Sequence, residues 1–263
     1  LYRQVMDLSQ KAAIVTGGGT GVGRETALEL ARLGCSVLIN YSRSRSEAEA
    51  TAVEVGQLGV GAVAMLADVA DDVACRAMVE RALAEFGRLD VLVNNAGTTR
   101  FIAWDDLDAV ETEDWERIYA VNLRGVFQCI RAARVALAAD GGGEVVNVAS
   151  LAGISGGGSS IPYATSKAAV IALTRGLVPT LGPEVRINAV APGFITGRWL
   201  GEGLGDAYEP VRELMSQKAP AGRVCDPVDV AAAIVSLITG SDMVSGQTVV
   251  VDGGIHSVGP LAL

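Results

Sequence analysis

Ser150, Tyr163 and Lys167 bring a hydroxyl, a phenol and an amine into one short stretch, where they could meet at one reacting atom. Tyr163 and Lys167 are four residues apart, so on a helix they share a face. Pro162, just before the tyrosine, suits a first helical turn, where its missing N–H is not needed. Ser150 closes an apolar run, 144–149, that reads as a buried strand. The intervening residues are rich in Gly and Ser and can fold back to bring Ser150 towards Tyr163. A free phenol has a pKa of about 10 and is a poor base at neutral pH. An ammonium nearby favours the phenolate and lowers that pKa. The set could pass a proton to or from an oxygen that Ser150 also bonds. The plain alternative is an ordinary helix with one tyrosine and one exposed lysine, and the pair alone does not exclude it.

A second set of residues supplies something for that proton to accompany. Residues 11–16 form a short apolar strand, followed by a glycine turn with Gly17, Gly21 and Gly23. An amphipathic helix comes next and is ended by Gly34. Such a turn lets the backbone approach a pyrophosphate, and the helix N-terminus offers free N–H groups and a positive dipole end. The alternation continues with strands at 36–40, 61–66, 89–93, 144–149, 185–190 and 247–251. Helices are expected at 47–58, 71–86, 113–139, 162–181 and 227–239, with 193–220 irregular or short-helical. The strands are apolar throughout, which describes a parallel sheet buried on both faces. The fold class is therefore α/β: one doubly wound Rossmann domain over residues 1–263, with seven parallel strands and helices on both faces. Ligands of such sheets bind beyond the C-terminal strand ends, where Thr16, Asn40 to Arg43, Asp68, Asn94 to Gly97, Ser150 and Pro192-Gly193 all fall.

Composition narrows the classes. Of 263 residues, 50% are hydrophobic and 19% charged, which is ample for a core. A net charge of -9 argues against a nucleic-acid partner. No apolar run reaches the roughly 18 residues of a membrane helix. The N-terminus lacks a signal-peptide pattern, and Met6 reads as the natural start, with residues 1–5 an upstream extension. Cys35, Cys75, Cys129 and Cys225 are far apart in apolar segments and read as buried thiols of a cytoplasmic protein, with no metal site among them. The sole histidine, His256, makes a Ser-His-Asp triad unexpected and reads as a surface or tail residue.

Taken together, these motifs resemble the short-chain dehydrogenase/reductase family over nearly the whole chain. Thr16, Gly17, Thr20, Gly21, Val22 and Gly23 are similar to its cofactor turn, and Asn94-Asn95-Ala96-Gly97 to its central-strand motif. Asn122, Ser150, Tyr163 and Lys167 resemble its catalytic tetrad, with Ser150 thirteen residues before the tyrosine as in the family pattern. Pro192-Gly193 and Val251-Asp-Gly-Gly254 match as well. The resemblance implies hydride transfer between a nicotinamide and a carbonyl or carbinol carbon. Tyr163 would be the general acid in reduction and base in oxidation. Lys167 would tune it and bind the nicotinamide ribose, and Asn122 would order a water linking Lys167 to solvent. Asp68 and Val69 would flank the adenine, Asn95, Ala96 and Gly97 the adenosine ribose, and Ile195 the carboxamide.

Cofactor choice in such folds is set after the second strand, where an acid selects NAD and basic residues accept a 2′-phosphate. Here Tyr41, Ser42 and Arg43 follow, with no acid until Glu47, so NADP(H) is expected over NAD(H). One departure is Thr20, where many NADP-using members carry a basic residue. Residues 193–220 correspond to the variable substrate lid, with Trp199 either lining the pocket or anchoring the lid. Ile154 and Gly156 are expected on another pocket wall. Relatives of this kind carry a lid threonine where this chain has Gly197, one residue after Thr196. The nearest look is that of 3-oxoacyl-acyl-carrier-protein reductases and related ketone or sugar reductases. The partner is then a small carbonyl or alcohol, and the assembly a homotetramer or homodimer through the helices at 113–139 and 162–181 and the last strand. An NAD(H)-dependent sugar or alcohol dehydrogenase of the same family, a non-catalytic dinucleotide sensor and a nucleotide-sugar epimerase are the competing readings.

Overall fold

The computed structural model of the chain describes residues 6–257, so the reading of residues 1–5 lies outside the described residues. Seven parallel strands form one sheet in the order β3-β2-β1-β4-β5-β6-β7. They are β1 (Ala12–Val15), β2 (Ser36–Tyr41), β3 (Ala62–Leu66), β4 (Val91–Asn94), β5 (Gly143–Val148), β6 (Val185–Pro192) and β7 (Thr248–Val251). The expected class and strand count are both met. The continuous apolar strands are explained by what covers them. On one face Ile14, Leu38, Leu92, Val145 and Ile187 pack against α3 (Asp72–Phe86), α5 (Val126–Ala138) and α7 (Ile161–Leu181). On the other, Val15, Val37, Ile39, Val93 and Val146 meet α1 (Gly21–Arg32), α2 (Arg45–Gln57) and α10 (Pro227–Thr239). Neighbouring residues of one strand face opposite layers, so every position needs an apolar side chain.

Strand order reverses at β1, between β2 and β4. The chains leaving their C-terminal ends diverge there and leave a crevice. Three local devices shape it. Asp71 caps α3 by accepting from the Val73 N–H at 2.9 Å. Ser160 caps α7, with Pro162 in its first turn. Asn40, buried at the end of β2, accepts from the Gly17 N–H at 3.2 Å and donates to the Ala67 carbonyl at 2.9 Å. It thereby ties the glycine turn to the loop after β3.

The helix expected over 113–139 is not one regular helix. It is α4 (Thr112–Tyr119), a wider π-helical segment over Ala120–Gly125, and α5. Asn122 lies in the π segment, and its side chain is bonded to the loop after β4. Gly125 sits against Val69 so closely that a Cβ would come 2.8 Å from the valine side chain. Holding both contacts takes a widened turn. The expected lid is also more regular than its glycines suggest: α8 (Arg198–Leu204) and α9 (Tyr208–Lys218) follow a short α6 (Ala152–Ser155) in chain order. All four cysteines are buried and free.

One buried polar contact carries the C-terminal edge. Arg186 on β6 donates to Glu144 on β5 at 3.1 Å, and to the Val244, Leu237 and Ile238 carbonyls. Two of those carbonyls belong to the last turn of α10, where they lack intrahelical donors. Arg186→Met is expected to lower unfolding free energy by about 3 kcal/mol in urea titration, because it removes a buried ion-pair partner and strips those carbonyls together.

Candidate active site

A cleft of about 1000 Å³ runs along the C-terminal ends of the strands. It brings together residues drawn from across the sequence. Gly17, Thr20, Gly21 and Val22 line it, as do Tyr41, Ser42 and Arg43, Asp68 and Val69, Asn95 to Gly97, Ser150, Tyr163, Lys167, Pro192, Gly193, Ile195, Gly156 and Trp199. Four expected residues do not line it. Thr16 is buried, and its Oγ accepts from the N–H groups of Asn95 and Ala96 at 2.9 and 3.0 Å, so it fixes the loop after β4. Gly23 lies beneath the turn, where a Cβ would come 2.3 Å from the Gly17 carbonyl oxygen. Asn122 is fully buried behind the cleft. Ile154 is turned outward and about half exposed. Its neighbour Gly153 explains this: a Cβ there would meet the Lys167 and Ala168 backbone at 2.6 Å. Short α6 thus presses Gly153 onto α7, and the next residue, about a quarter-turn round the helix, faces away.

At the Tyr163 end the cleft is built around Lys167. Its ammonium is 4% exposed and donates to the Val148 carbonyl at 2.7 Å. Burial pushes the amine pKa down to about 8. Its Nζ lies 5.8 Å from the Tyr163 ring centre. A Cβ on Gly97 would stand 3.6 Å from Asn122 Oδ1, 3.8 Å from Lys167 Nζ and 3.8 Å from the Trp199 ring, so these groups converge on one point of the chain. Asn122 is held in place at both ends: its Oδ1 accepts from the Thr98 N–H at 2.8 Å, and its Nδ2 donates to the Thr98 carbonyl and Ser166 Oγ.

Burial pushes the Tyr163 phenol up, and the Ser150 hydroxyl beside it pulls the other way without prevailing. The sequence suggested a phenolate favoured by the ammonium. The structure instead shifts the phenol upward, because desolvation by burial is the larger influence on it. Ser150 Oγ accepts from the Ala152 N–H at 3.2 Å, which leaves its own proton to donate. Trp199 lines the cleft and stands beside Tyr163, with ring centres 6.4 Å apart. Thr196 spends its hydroxyl on Asp226, and the Gly197 N–H reaches the Tyr208 hydroxyl at 3.3 Å.

The other end suits a dinucleotide. Helix α1 starts at Gly21 without a side-chain cap from Thr20, leaving its first N–H groups to the cleft. Gly23 permits the close approach of helix and turn described above. Those features fit a pyrophosphate. Asp68 is bonded by Arg117 at 3.0 Å, a contact with no signal in the sequence. Partial burial works against the Asp68 carboxylate, yet the Ala70 N–H, Arg117 and the charge of Arg43 hold its pKa below the usual value. His256 is not a loose tail residue: its Nδ1 meets Asp252 Oδ2 at 2.8 Å. Among the described residues no cluster could hold a metal ion, and no helix is long and apolar enough to cross a membrane.

Comparison with known proteins agrees with this geometry. The family model described as enoyl-(acyl carrier protein) reductase matches residues 17–256. The chain belongs to the short-chain dehydrogenase/reductase family. It is 43% identical over 244 residues to the granaticin polyketide synthase ketoacyl reductase 2 of Streptomyces violaceoruber, covering 93% of this chain and 95% of that one. A short-chain dehydrogenase/reductase from Burkholderia xenovorans superposes with TM-score 0.87 at 35% identity, covering 94% and 98%. An NAD+-bound xylitol dehydrogenase does so with TM-score 0.87 at 28% identity, covering 95% and 100%. The chain is thus an NAD(P)-dependent oxidoreductase acting on CH–OH and C=O groups.

The buried amine makes a stability prediction. Unfolded, the Lys167 amine titrates at 10.5, and folded at about 8. Folding therefore costs energy wherever the unfolded amine is charged. The cost is full below pH 8, shrinks as pH rises, and is gone above 10.5. Lys167→Met is expected to be more stable than the parent at pH 7, by up to about 3 kcal/mol. That advantage should fade between pH 8 and 10.5 in urea titrations of the two proteins at matched pH.

Proposed function

We propose that this protein reduces a ketone to a secondary alcohol with NADP(H), Tyr163 supplying the proton. The observation that carries the reading is the meeting of Tyr163, Ser150 and the buried Lys167 at one wall of the cleft, with Lys167 Nζ 5.8 Å from the Tyr163 ring centre. A phenol that holds its proton is ready to act as an acid towards a carbonyl oxygen. The cofactor, when bound, supplies the hydride. Ser150 donates to the same oxygen and steadies its developing charge. Lys167, fixed by the Val148 carbonyl and next to the ring, makes loss of the phenolic proton easier once the carbonyl oxygen draws on it. Asn122 holds the Thr98 segment beside Gly97 and so positions the floor of the site. Trp199 stands beside the phenol as a further wall of the site.

The family model's description speaks of enoyl reduction, whereas the polyketide relative is named a ketoacyl reductase. Two hydroxyls aimed at one place suit a reacting oxygen, which supports the ketone. An open apolar wall of Trp199, Leu200 and Met215 suits an acyl or ring ketone better than a polyol. NADP(H) is supported by Arg43 and Ser42 on the cleft with no carboxylate at the end of β2. NAD(H), which the xylitol dehydrogenase holds, is the second reading. The assembly is a pair or pair of pairs through α4, α5 and α7, where Phe127 and Trp115 stay exposed beside a groove lined by Leu123 and Leu173.

A panel of β-ketoacyl thioesters, cyclic ketones and sugars, followed by NADPH absorbance, tests this. The parent should turn over a ketone with NADPH in preference to NADH. Tyr163→Phe should lower kcat/KM by about a thousandfold with cofactor affinity unchanged. Turnover retained by that variant, or a clear preference for NADH, would refute the corresponding half of the reading.

A further inference from the structure

Arg198, on the lid helix α8, reaches across the cleft. Its guanidinium donates to Glu47 Oε1 at 2.8 Å and lies 3.4 Å from Ser44 Oγ. Both partners sit at the start of α2, some 150 residues away in the chain. That is the turn directly after Ser42 and Arg43, and Arg43, Ser44 and Arg198 line the same cleft. Ser44 is the N-cap residue of α2, yet its side chain caps nothing. Glu47 is held below the usual carboxylate range mainly by Arg198. The other end of α8 is seated too: at Gly203 a Cβ would fall 2.0 Å from the Phe101 ring, so the helix lies flush on the loop after β4.

We propose that Arg198 is a specificity-determining residue carried by the lid: its guanidinium exchanges Glu47 for the 2′-phosphate of the cofactor, which Arg43 meets from the side of β2. The inference rests on the NADP(H) reading above. The physical case is a competition between anions for one guanidinium. A carboxylate and a phosphate both match its planar donors, and a phosphate brings more charge and more acceptor oxygens. Arg43 and Arg45 stand in the turn and Arg198 joins them from the lid; Arg45 is held by Glu49, and Glu47 is the carboxylate that Arg198 bonds. Without a 2′-phosphate, Glu47 neutralises Arg198 and the lid is already latched. With it, the phosphate takes Arg198, and Glu47 becomes the anion that must be displaced. Arg198 therefore adds affinity for a phosphorylated ribose, and Glu47 subtracts some. An unphosphorylated ribose gains from neither.

Isothermal titration calorimetry of NADPH and NADH against the full chain reads this without catalysis. Arg198→Ala should weaken NADPH by about tenfold and leave NADH within about twofold. Arg198→Lys should keep most of the NADPH affinity, because the cation remains. Glu47→Gln should tighten NADPH about threefold, with NADH unchanged. Adenosine 2′,5′-bisphosphate should follow NADPH, and 5′-AMP should follow NADH. Equal losses for NADPH and NADH in Arg198→Ala would overturn the proposal, placing the guanidinium on the pyrophosphate or on the latch alone. So would a Glu47→Gln variant that weakens NADPH as Arg198→Ala does. The parent's own NADPH-to-NADH ratio tests the cofactor reading. The change of that ratio in the variants tests Arg198, so the two can fail separately.

Discussion

A primary amine buried with one carbonyl for company is the constraint on which the rest of the site depends. Among the described residues Lys167 has no ion pair; its ammonium donates to the Val148 carbonyl at the end of β5 and faces the Tyr163 ring. A charge so placed is costly, and the surroundings show how it is tolerated. β5 ends where its last carbonyl is free to accept. Gly153 lets α6 lie on the α7 backbone at that residue. The π-helical segment brings Asn122 to the Thr98 backbone, which closes the wall beside Gly97. Each of these departs from what local stability alone would choose. Regular helix would be better without the π segment, and a neutral side chain would be better than the amine. The large two-sided sheet core can offset such costs, since most of its strand residues are buried.

The sheet does more than supply stability. In a parallel sheet all strands point one way, so all their C-terminal ends deliver side chains to one edge. Three asparagines inside these apolar strands, Asn40, Asn94 and Asn147, lie at or near those ends. Asn94 on β4 donates to Asn147 on β5 at 2.9 Å, and Asn147 donates to Thr174 on α7 at 2.9 Å. That line of buried polar contacts fixes α7 relative to the two strands whose ends it overhangs. Tyr163 and Lys167 are therefore placed against Ser150 by a chain of hydrogen bonds as well as by packing. Asn40 does the corresponding work at the nucleotide end, linking the turn after β1 to the loop after β3.

These differences in mechanism explain what could be read from the chain. Strand and helix alternation was legible because burial on both faces demands apolar residues at every strand position. The glycine turn and the Ser150, Tyr163 and Lys167 spacing were legible because backbone approach and helical periodicity restrict residue types. The π segment was not, since its apolar residues continue the pattern of a regular helix and only the tie between Asn122 and Thr98 reveals the change. The exposure of Ile154 was not legible, because the close contact beside it belongs to Gly153, and a helix of four residues has no periodicity to read. Arg117 on Asp68 and Arg198 on Glu47 join surface charges from distant segments. Nothing in a linear sequence distinguishes such arginines from solvated ones. Thr16, conspicuous in the motif, turns out to hold the loop after β4 in place, because its hydroxyl is occupied by two backbone N–H groups.

The lid links the two ends of the cleft through adjacent residues. Arg198 meets the start of α2, and Trp199, the next residue, covers Tyr163. They stand on one short helix whose glycines leave it little side-chain anchorage of its own. What holds α8 down is therefore the ion pair at one end and the Phe101 contact at the other. An exposed ion pair contributes little by itself, about 1 kcal/mol or less. Its leverage comes from position, because the indole beside the phenol stands on the next residue of the same helix. Trp199 stands beside a phenol whose burial pushes its pKa up. In the proposed reaction, recognition at the adenosine end and proton donation at the reacting end are then not separate properties. Both depend on the same seven residues of helix lying where they do.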